Sequence, residues 1–222
     1  MKIGAVFPQM EIGTDPIVVR DFAQAIEQMG FSHMVAYDHV INPDMTSRKD
    51  LPDFYDIDDT FHEPLVLFSY LAGLTNTLEF ATGVLILPQR QTALLAKQAA
   101  NVDIFTQGRL RLGVGIGWNK MEYEALGAPM TERGARLDEQ IRFMRQLWTQ
   151  PSSSFADEYH TLTQGGICPM PVQQPIPIWI GGVSEPAMRR AATLGDGWLP
   201  IIKAEEAEEE IGRFRELVVA AN

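Results

Sequence analysis

Residues 107–127 read Q-G-R-L-R-L-G-V-G-I-G-W-N-K-M-E-Y-E-A-L-G. The apolar run Leu110–Val114 meets glycines at 113, 115 and 117, and Trp118, Asn119, Lys120 and Glu122 follow at once. The first half has the composition of a buried strand. The second half reads as a ligand-facing turn, because glycine accepts unusual backbone angles and lets a ligand come close. The spacing is not the G-x-G-x-x-G of a dinucleotide fold. A plain, tight strand-to-helix loop is an equal reading of the same residues.

Working outward, Thr92–Thr106 has helical periodicity, with Leu95, Ala99, Val102 and Phe105 or Ile104 inward and Gly108 as its stop. Thr131–Trp148 carries the stripe Leu137, Ile141, Met144 and Trp148. Leu78–Leu87 is almost continuously apolar apart from Thr82-Gly83, as expected of a strand covered on both faces. Ile3–Phe7 and His33–Tyr37 are earlier strands, joined by a helix from Pro16 that ends at Gly30. Phe61–Gly73 reads as a further helix. Beyond residue 150 come a polar linker (151–158) and an irregular stretch (159–174) with room for a small hairpin. A strand over Ile176–Ile180, a helix after Ser184, a short strand through Trp198 and a helix over Ala204–Ala221 complete the chain. In that last helix Ile211, Phe214 and Val218 are the expected buried face.

Strands near residues 3, 33, 79, 110, 176 and 198, each followed by a helix, make six βα units. Such alternation means a parallel sheet with helical cover, α/β in class. Two architectures satisfy it: an open doubly wound sheet, or a (β/α) barrel, which ordinarily needs about 250 residues and eight units. One domain over residues 1–222 accommodates all six units, with an insertion at 42–60 and the irregular segment 151–175. The insertion is too long for a simple βα connection. It suits a lid or wall over a site, or an ordinary surface loop.

Composition narrows the function. The chain has 222 residues, 45% of them hydrophobic, enough for one substantial core. A net charge of −11 without any Lys/Arg cluster argues against a nucleic-acid partner. The single cysteine, Cys168, precludes an internal disulfide and fits a reducing compartment. No apolar run reaches membrane-spanning length, and Met1-Lys2-Ile3 enters a strand with no signal-peptide pattern. A cytoplasmic globular protein is the expectation.

Polar residues and glycines gather after strands: Asp38-His39, Gly83-Val84, Gly117-Trp118-Asn119 and Gly181-Gly182. In either parallel architecture these loops share one face, and sites form there. Gly181-Gly182-Val183-Ser184 at a helix start suits a phosphate, through free N–H groups and the helix dipole; a serine-capped glycine turn is the plainer reading. His39 beside Asp38 suits proton donation or a hydrogen bond to a cofactor ring, or a simple loop arrangement. Glu122 is a second acid–base candidate, or a solvated helix residue. Metal-ligand spacings and a G-x-S-x-G elbow are both missing from the sequence, so a metal or serine-hydrolase site is not expected.

Four passages carry a resemblance to a known family. They are Gly30-Phe31 through Asp38-His39-Val40; Thr82–Pro88 with Ala96–Ala100; Gly108-Arg109-Leu110 through Trp118, Glu122 and Leu126-Gly127; and Pro171-Val172-Gln173 through Trp179-Ile180-Gly181-Gly182 to Gly195-Asp196-Gly197-Trp198. Together they span nearly the whole chain. The sequence resembles the luciferase-like monooxygenase superfamily, and within it the branch of probable coenzyme F420-dependent oxidoreductases.

The resemblance implies a TIM-type barrel, here six units long, with a tricyclic cofactor at the C-terminal ends of the strands. It implies a non-prolyl cis peptide and bulge at Gly83-Val84 backing the ring. Asp38 and His39 fall near the ring or substrate; Gly117, Trp118 and Asn119 match the segment after strand four; Gly181 and Gly182 fall at the phosphate. His39 and Glu122 are the catalytic candidates, since Trp118 stands where some F420 relatives place an acid. The implied reaction is hydride transfer between F420 and a small organic substrate, in a homodimer. The rival within the fold is an FMN-dependent monooxygenase using O2 and a flavin reductase partner. The rival of another class is a cofactor-binding or structural protein without turnover, because two barrel units are missing. F420's acidic tail calls for a cationic groove, to which Arg90, Lys120 and Arg133 are the expected contributors.

Overall fold

The structure is a computed structural model and describes residues 2–221. Six parallel strands form an open, curled sheet: β1 (Gly4–Val6), β2 (His33–Ala36), β3 (Glu79–Thr82), β5 (Leu110–Gly115), β8 (Ile178–Gly181) and β9 (Gly197–Leu199), neighbours in that order. A two-residue strand, β4 (Leu85–Ile86), resumes beyond β3 and also pairs with β5. This is a truncated barrel of the TIM type, as the resemblance implies. The Gly83-Val84 peptide between β3 and β4 is cis.

Helices cover the outer face, and their ends follow from local chemistry. Asp15 caps α2 (Pro16–Gln28) by accepting from the Ile17 N–H at 2.8 Å, and Pro16 occupies its first position. Glu63 caps α3 (Pro64–Ala72) through the Val66 N–H at 2.7 Å, so this helix starts three residues later than periodicity predicts. α4 (Thr92–Phe105) and α6 (Arg133–Thr149) pack on each other. Leu137, Ile141, Met144 and Trp148 are fully buried. Each contributes about 1.5–3 kcal/mol of transfer free energy. The Trp148 indole also donates to the Ala96 carbonyl at 3.0 Å, so its one polar atom is satisfied.

Three expectations need correction. The hairpin begins inside the stretch read as a polar linker: β6 (Ser153–Ala156) pairs antiparallel with β7 (Thr161–Gly165). Phe155 and Leu162 supply its inner side against the core, a two-residue signal too short to stand out in a polar segment. A short helix, α1 (Gln9–Ile12), precedes the helix from Pro16 that alone was expected to join the first two strands. Finally, α8 (Ala207–Ala221) has no fully buried residue. It lies against α7 (Glu185–Leu194), Phe214 stacks on Trp198 at 4.8 Å, and Ile211 is exposed.

The N-terminal ends of the strands are tied together by side chains from the family-like passages. Arg109 donates to the carbonyls of Ala72, Thr75, Leu78 and Thr106, satisfying the loose end of α3. Gln173 donates to Asp103 and to the Leu110 carbonyl, and Asp196 accepts from the Ile178 N–H. These three motif positions stabilise the fold and stand at the end of the sheet away from the site.

Candidate functional site

At the C-terminal ends of the strands two cavities adjoin, about 480 and 350 Å³ in volume. They share Gly83, Val84, Gly117, Trp118 and Ile201, so Val84 forms a ridge within one groove. The larger cavity is walled by Asp38, His39, Phe54, Tyr55, Phe61, Ile86 and Met10. The smaller one runs past Gly115 to Gly181, Gly182 and Val183.

The glycines on this face do two different jobs. A Cβ at Gly113 would lie 2.0 Å from the Thr82 carbonyl oxygen. One at Gly115 or Gly181 would lie 2.7 or 2.4 Å from a methyl of Val84. These three therefore make room for the protein's own strand end and the Val84 ridge. Gly117 and Gly182 instead take φ of 63° and 111°, where glycine is favoured, and turn the chain away from the strands. The close approach anticipated for a ligand is made first by Val84.

The opposite wall is a network of buried polar side chains. Asp38 is buried and accepts from the Ile86 N–H at 2.9 Å and from Arg90 Nη2 at 2.6 Å. Arg90 also holds Glu63 at 2.9 Å. Burial works against the charged guanidinium, but Asp38 and Glu63 outweigh it and hold the Arg90 pKa above its ordinary value. Asp38 thus fixes the backbone after the cis peptide.

His39 sits beside this pair, and its side chain reaches the larger cavity. Its Nδ1 lies 2.8 Å from the Tyr55 hydroxyl and 3.5 Å from Glu122 Oε1. Its ring packs on Tyr55 and Phe61, with centroids 4.2 and 4.8 Å apart. Glu122 is 1% exposed and does not line either cavity. It stands behind His39, accepting from the Val40 and Ile41 N–H groups at 2.8 and 3.4 Å and from Gln89 at 3.4 Å. Burial pushes its pKa up, but His39 and the two N–H groups prevail and hold it below the ordinary glutamate value. Burial and the nearby Glu122 charge push the Tyr55 hydroxyl pKa well up, so it keeps its proton.

Asn119 is buried and caps α5 (Lys120–Ala125): its Oδ1 accepts from the Met121 N–H at 3.0 Å. Its Nδ2 donates to the Tyr55 hydroxyl at 3.0 Å. Trp118 lies at the junction of the cavities, edge-on to Phe54 and Tyr55 at 5.3 and 5.9 Å. Ser184 precedes α7, exposed, with its hydroxyl making no cap bond. Gly182 accepts from the Trp198 indole at 2.7 Å.

The sequence-derived residues therefore converge on one face. Asp38, His39, Gly83, Val84, Gly117, Trp118, Gly181 and Gly182 line the groove. Asn119 and Glu122 support it from behind. Tyr55, Phe54 and Phe61 complete it, and Arg90 supports Asp38 from behind. The aromatic pair Phe54-Tyr55 within an otherwise acidic insertion was the available signal for the wall. The groove-lining role expected of the cations does not hold. Arg90 pairs with Asp38 and Glu63, Lys120 with Asp50 at 2.5 Å, and Arg133 bonds the Met130 carbonyl. Among the described residues no group of three His, Cys, Asp or Glu side chains could hold a metal, and no helix is long and apolar enough to cross a membrane.

The chain is similar to an uncharacterised protein of Mycobacterium tuberculosis, 37% identical over 199 residues, which are 87% of this chain and 68% of that protein. It is similar to the FMNH2-dependent dimethylsulfone monooxygenase of Pseudomonas putida, 35% identical over 142 residues, covering 62% of this chain and 39% of that enzyme. Its fold matches an F420-dependent secondary alcohol dehydrogenase solved with an F420–acetone adduct. That match has a TM-score of 0.80 at 19% identity, over all of this chain and 65% of that one. The luciferase-like monooxygenase profile matches residues 7–221, so the chain belongs to that family: it is an oxidoreductase of the flavin or deazaflavin class acting on a small organic substrate.

Proposed function

We propose that the protein is an FMN-dependent monooxygenase, in place of the F420-dependent hydride transfer that the sequence first suggests. The observation that carries this reading is the likeness to an FMNH2-dependent monooxygenase, 35% identical over 142 residues; in the same direction, Arg90 is committed to Asp38 and Glu63 and lines neither cavity. FMN needs a single phosphate held. The exposed start of α7, with Ser184 and the turn at Gly181-Gly182, offers N–H groups and a hydroxyl for it. The groove fits a planar tricycle: Val84 and the flanking glycines back one side, and His39, Trp118 and the aromatic wall stand on the other.

Bound reduced FMN with O2 supplies the oxygenating equivalents: one oxygen atom goes to the substrate, the other leaves as water, and FMN is released oxidised. The protein's part is to orient, to exclude water and to place a polar atom. Asp38, locked by Arg90, fixes the backbone at Ile86 beside the ridge. Phe54 and Tyr55 of the insertion 42–60, Phe61 just beyond it and Trp118 after β5 enclose the substrate space. His39 supplies the polar atom. A homodimer, and a separate flavin reductase to deliver the reduced cofactor, belong to the same proposal.

Anaerobic titration tests it. Reduced FMN is expected to bind and, on mixing with air and a small organic substrate, to give substrate-dependent oxygen transfer. F420 binding with FMN ignored restores the deazaflavin reading. Binding of neither removes both. Size-exclusion chromatography checks the dimer.

A further inference from the structure

The hydrogen bonds behind His39 Nδ1 begin at the cap of α5. Asn119 Oδ1 is committed to the Met121 N–H, so its Nδ2 faces the Tyr55 hydroxyl and donates to it at 3.0 Å. An amide nitrogen has no lone pair to accept with. Among the described residues the Tyr55 proton has one acceptor in reach, His39 Nδ1 at 2.8 Å. Glu122 Oε1, 3.5 Å from the same Nδ1, is the competing partner for a proton on that nitrogen, and it already accepts from Val40 and Ile41. Among the described residues His39 Nε2 has no hydrogen-bond partner, and the ring lines the larger cavity.

We infer that Tyr55 and Asn119 are positioning residues that lock neutral His39 as its Nε2–H tautomer, so that the cavity receives a hydrogen-bond donor aimed at an acceptor oxygen of its ligand. The chain runs from cap to amide to phenol to imidazole, and each member has one consistent role. The ligand feature so recognised is a carbonyl-type oxygen, set among apolar and aromatic walls. Two sources offer it: the ring carbonyls of a flavin and the oxygen of a small ketone. The tautomer stands independently of the proposed FMN chemistry; the use of the donor during turnover rests on that reading.

The test is nuclear magnetic resonance on the full 222-residue chain with 15N-labelled histidine, at a pH where imidazoles are neutral. His39 is identified by loss of its signal in His39→Gln. Long-range 1H–15N correlations distinguish a protonated from a bare nitrogen. The expected wild-type pattern has Nε2 protonated and Nδ1 bare. Tyr55→Phe removes the donor to Nδ1, leaving Glu122 as its neighbour, and is expected to invert the pattern to Nδ1–H. Asn119→Asp keeps the cap on Met121 but takes the Tyr55 proton for itself. It is expected to give the same inversion with every ring in place, and it serves where Tyr55→Phe does not fold. A wild-type Nδ1–H pattern, or an unchanged pattern in the folded variant, overturns the tautomer lock. FMN alone and cyclohexanone alone are then added separately. A shift of the His39 Hε2 signal with FMN places the acceptor on the cofactor, and one with cyclohexanone places it on the substrate. No shift with either overturns the ligand-facing role while leaving the tautomer result standing.

Discussion

The two walls of the groove are built by opposite means. One is made by leaving side chains out. Gly113, Gly115 and Gly181 clear the space that Thr82 and Val84 fill, and the remaining turns use positive φ at Gly117 and Gly182. The other is made by side chains that no short segment contains. Asp38 meets Arg90 across 52 residues of sequence, and His39 meets Glu122 across 83. The glycine wall tolerates no added atom, because what it abuts is backbone and branched side chain. The polar wall tolerates shape change better than loss of a charge or a proton, because its members are matched donor to acceptor.

The contrast gives an order of expected effects. Arg90→Met should be the most damaging, since it leaves Asp38 buried without its cation; a loss of about 3–5 kcal/mol is expected in urea unfolding. Damage below 1 kcal/mol would break the view that this wall depends on charge matching. Gly113→Ala should follow, at about 3 kcal/mol, because its Cβ meets the Thr82 backbone, which has nowhere to move. Gly181→Ala meets only a Val84 methyl, so it should cost less, about 1–2 kcal/mol, and Val84→Ala should rescue part of it. Unrelieved damage in the double variant would mean that the ridge is not what the glycine accommodates.

Next in size is Glu122→Gln, at about 0.5–1.5 kcal/mol, because an amide oxygen accepts from the Val40 and Ile41 N–H groups more weakly than a carboxylate does. Its pH dependence has a definite sign. The folded pKa of Glu122 is depressed, so its contribution is present above the ordinary glutamate value near ~4.3. It is lost as pH falls through the lower folded value. Urea midpoints across the acid range should fall less steeply in Glu122→Gln than in the wild type. The smallest effect belongs to the glycine side: Ser184→Ala should change stability by less than about 0.5 kcal/mol, its hydroxyl making no cap bond. The same change should weaken FMN binding several-fold by equilibrium titration, and equal binding would separate Ser184 from the proposed phosphate site.

The same contrast explains what could be read from residues alone. The parallel sheet was legible because Leu110–Val114 and Leu78–Leu87 are apolar runs that only doubly covered strands sustain. The glycine wall was legible as positions, since glycines after strands are local features, though their reason was not: whether a glycine admits a ligand or a valine depends on a neighbour 30 or more residues away. The polar wall was legible only in part. His39 and Glu122 stood out as titratable groups near strand ends, but their unequal roles, one lining the cavity and one behind it, arise from burial. Arg90 was expected to contribute to a cationic groove and is a half-buried clamp on Asp38 and Glu63. Tyr55 lay within an acidic insertion whose packing no periodicity announces. The hairpin at 153–165 was hidden for the related reason that only Phe155 and Leu162 face inward.

The insertion 42–60 also bears on how such a chain diversifies by descent. It is a surface-anchored module whose ends are joined, since the Asn42 amide donates to the Asp59 carbonyl at 2.5 Å. None of its residues pairs in the sheet, but it contributes Met45, Leu51 and Tyr55 to the buried side chains. Yet the module carries Tyr55, a bonding partner of His39 and Asn119. A change of loop therefore alters the cavity wall and the surroundings of the imidazole in the same step, through a single tyrosine.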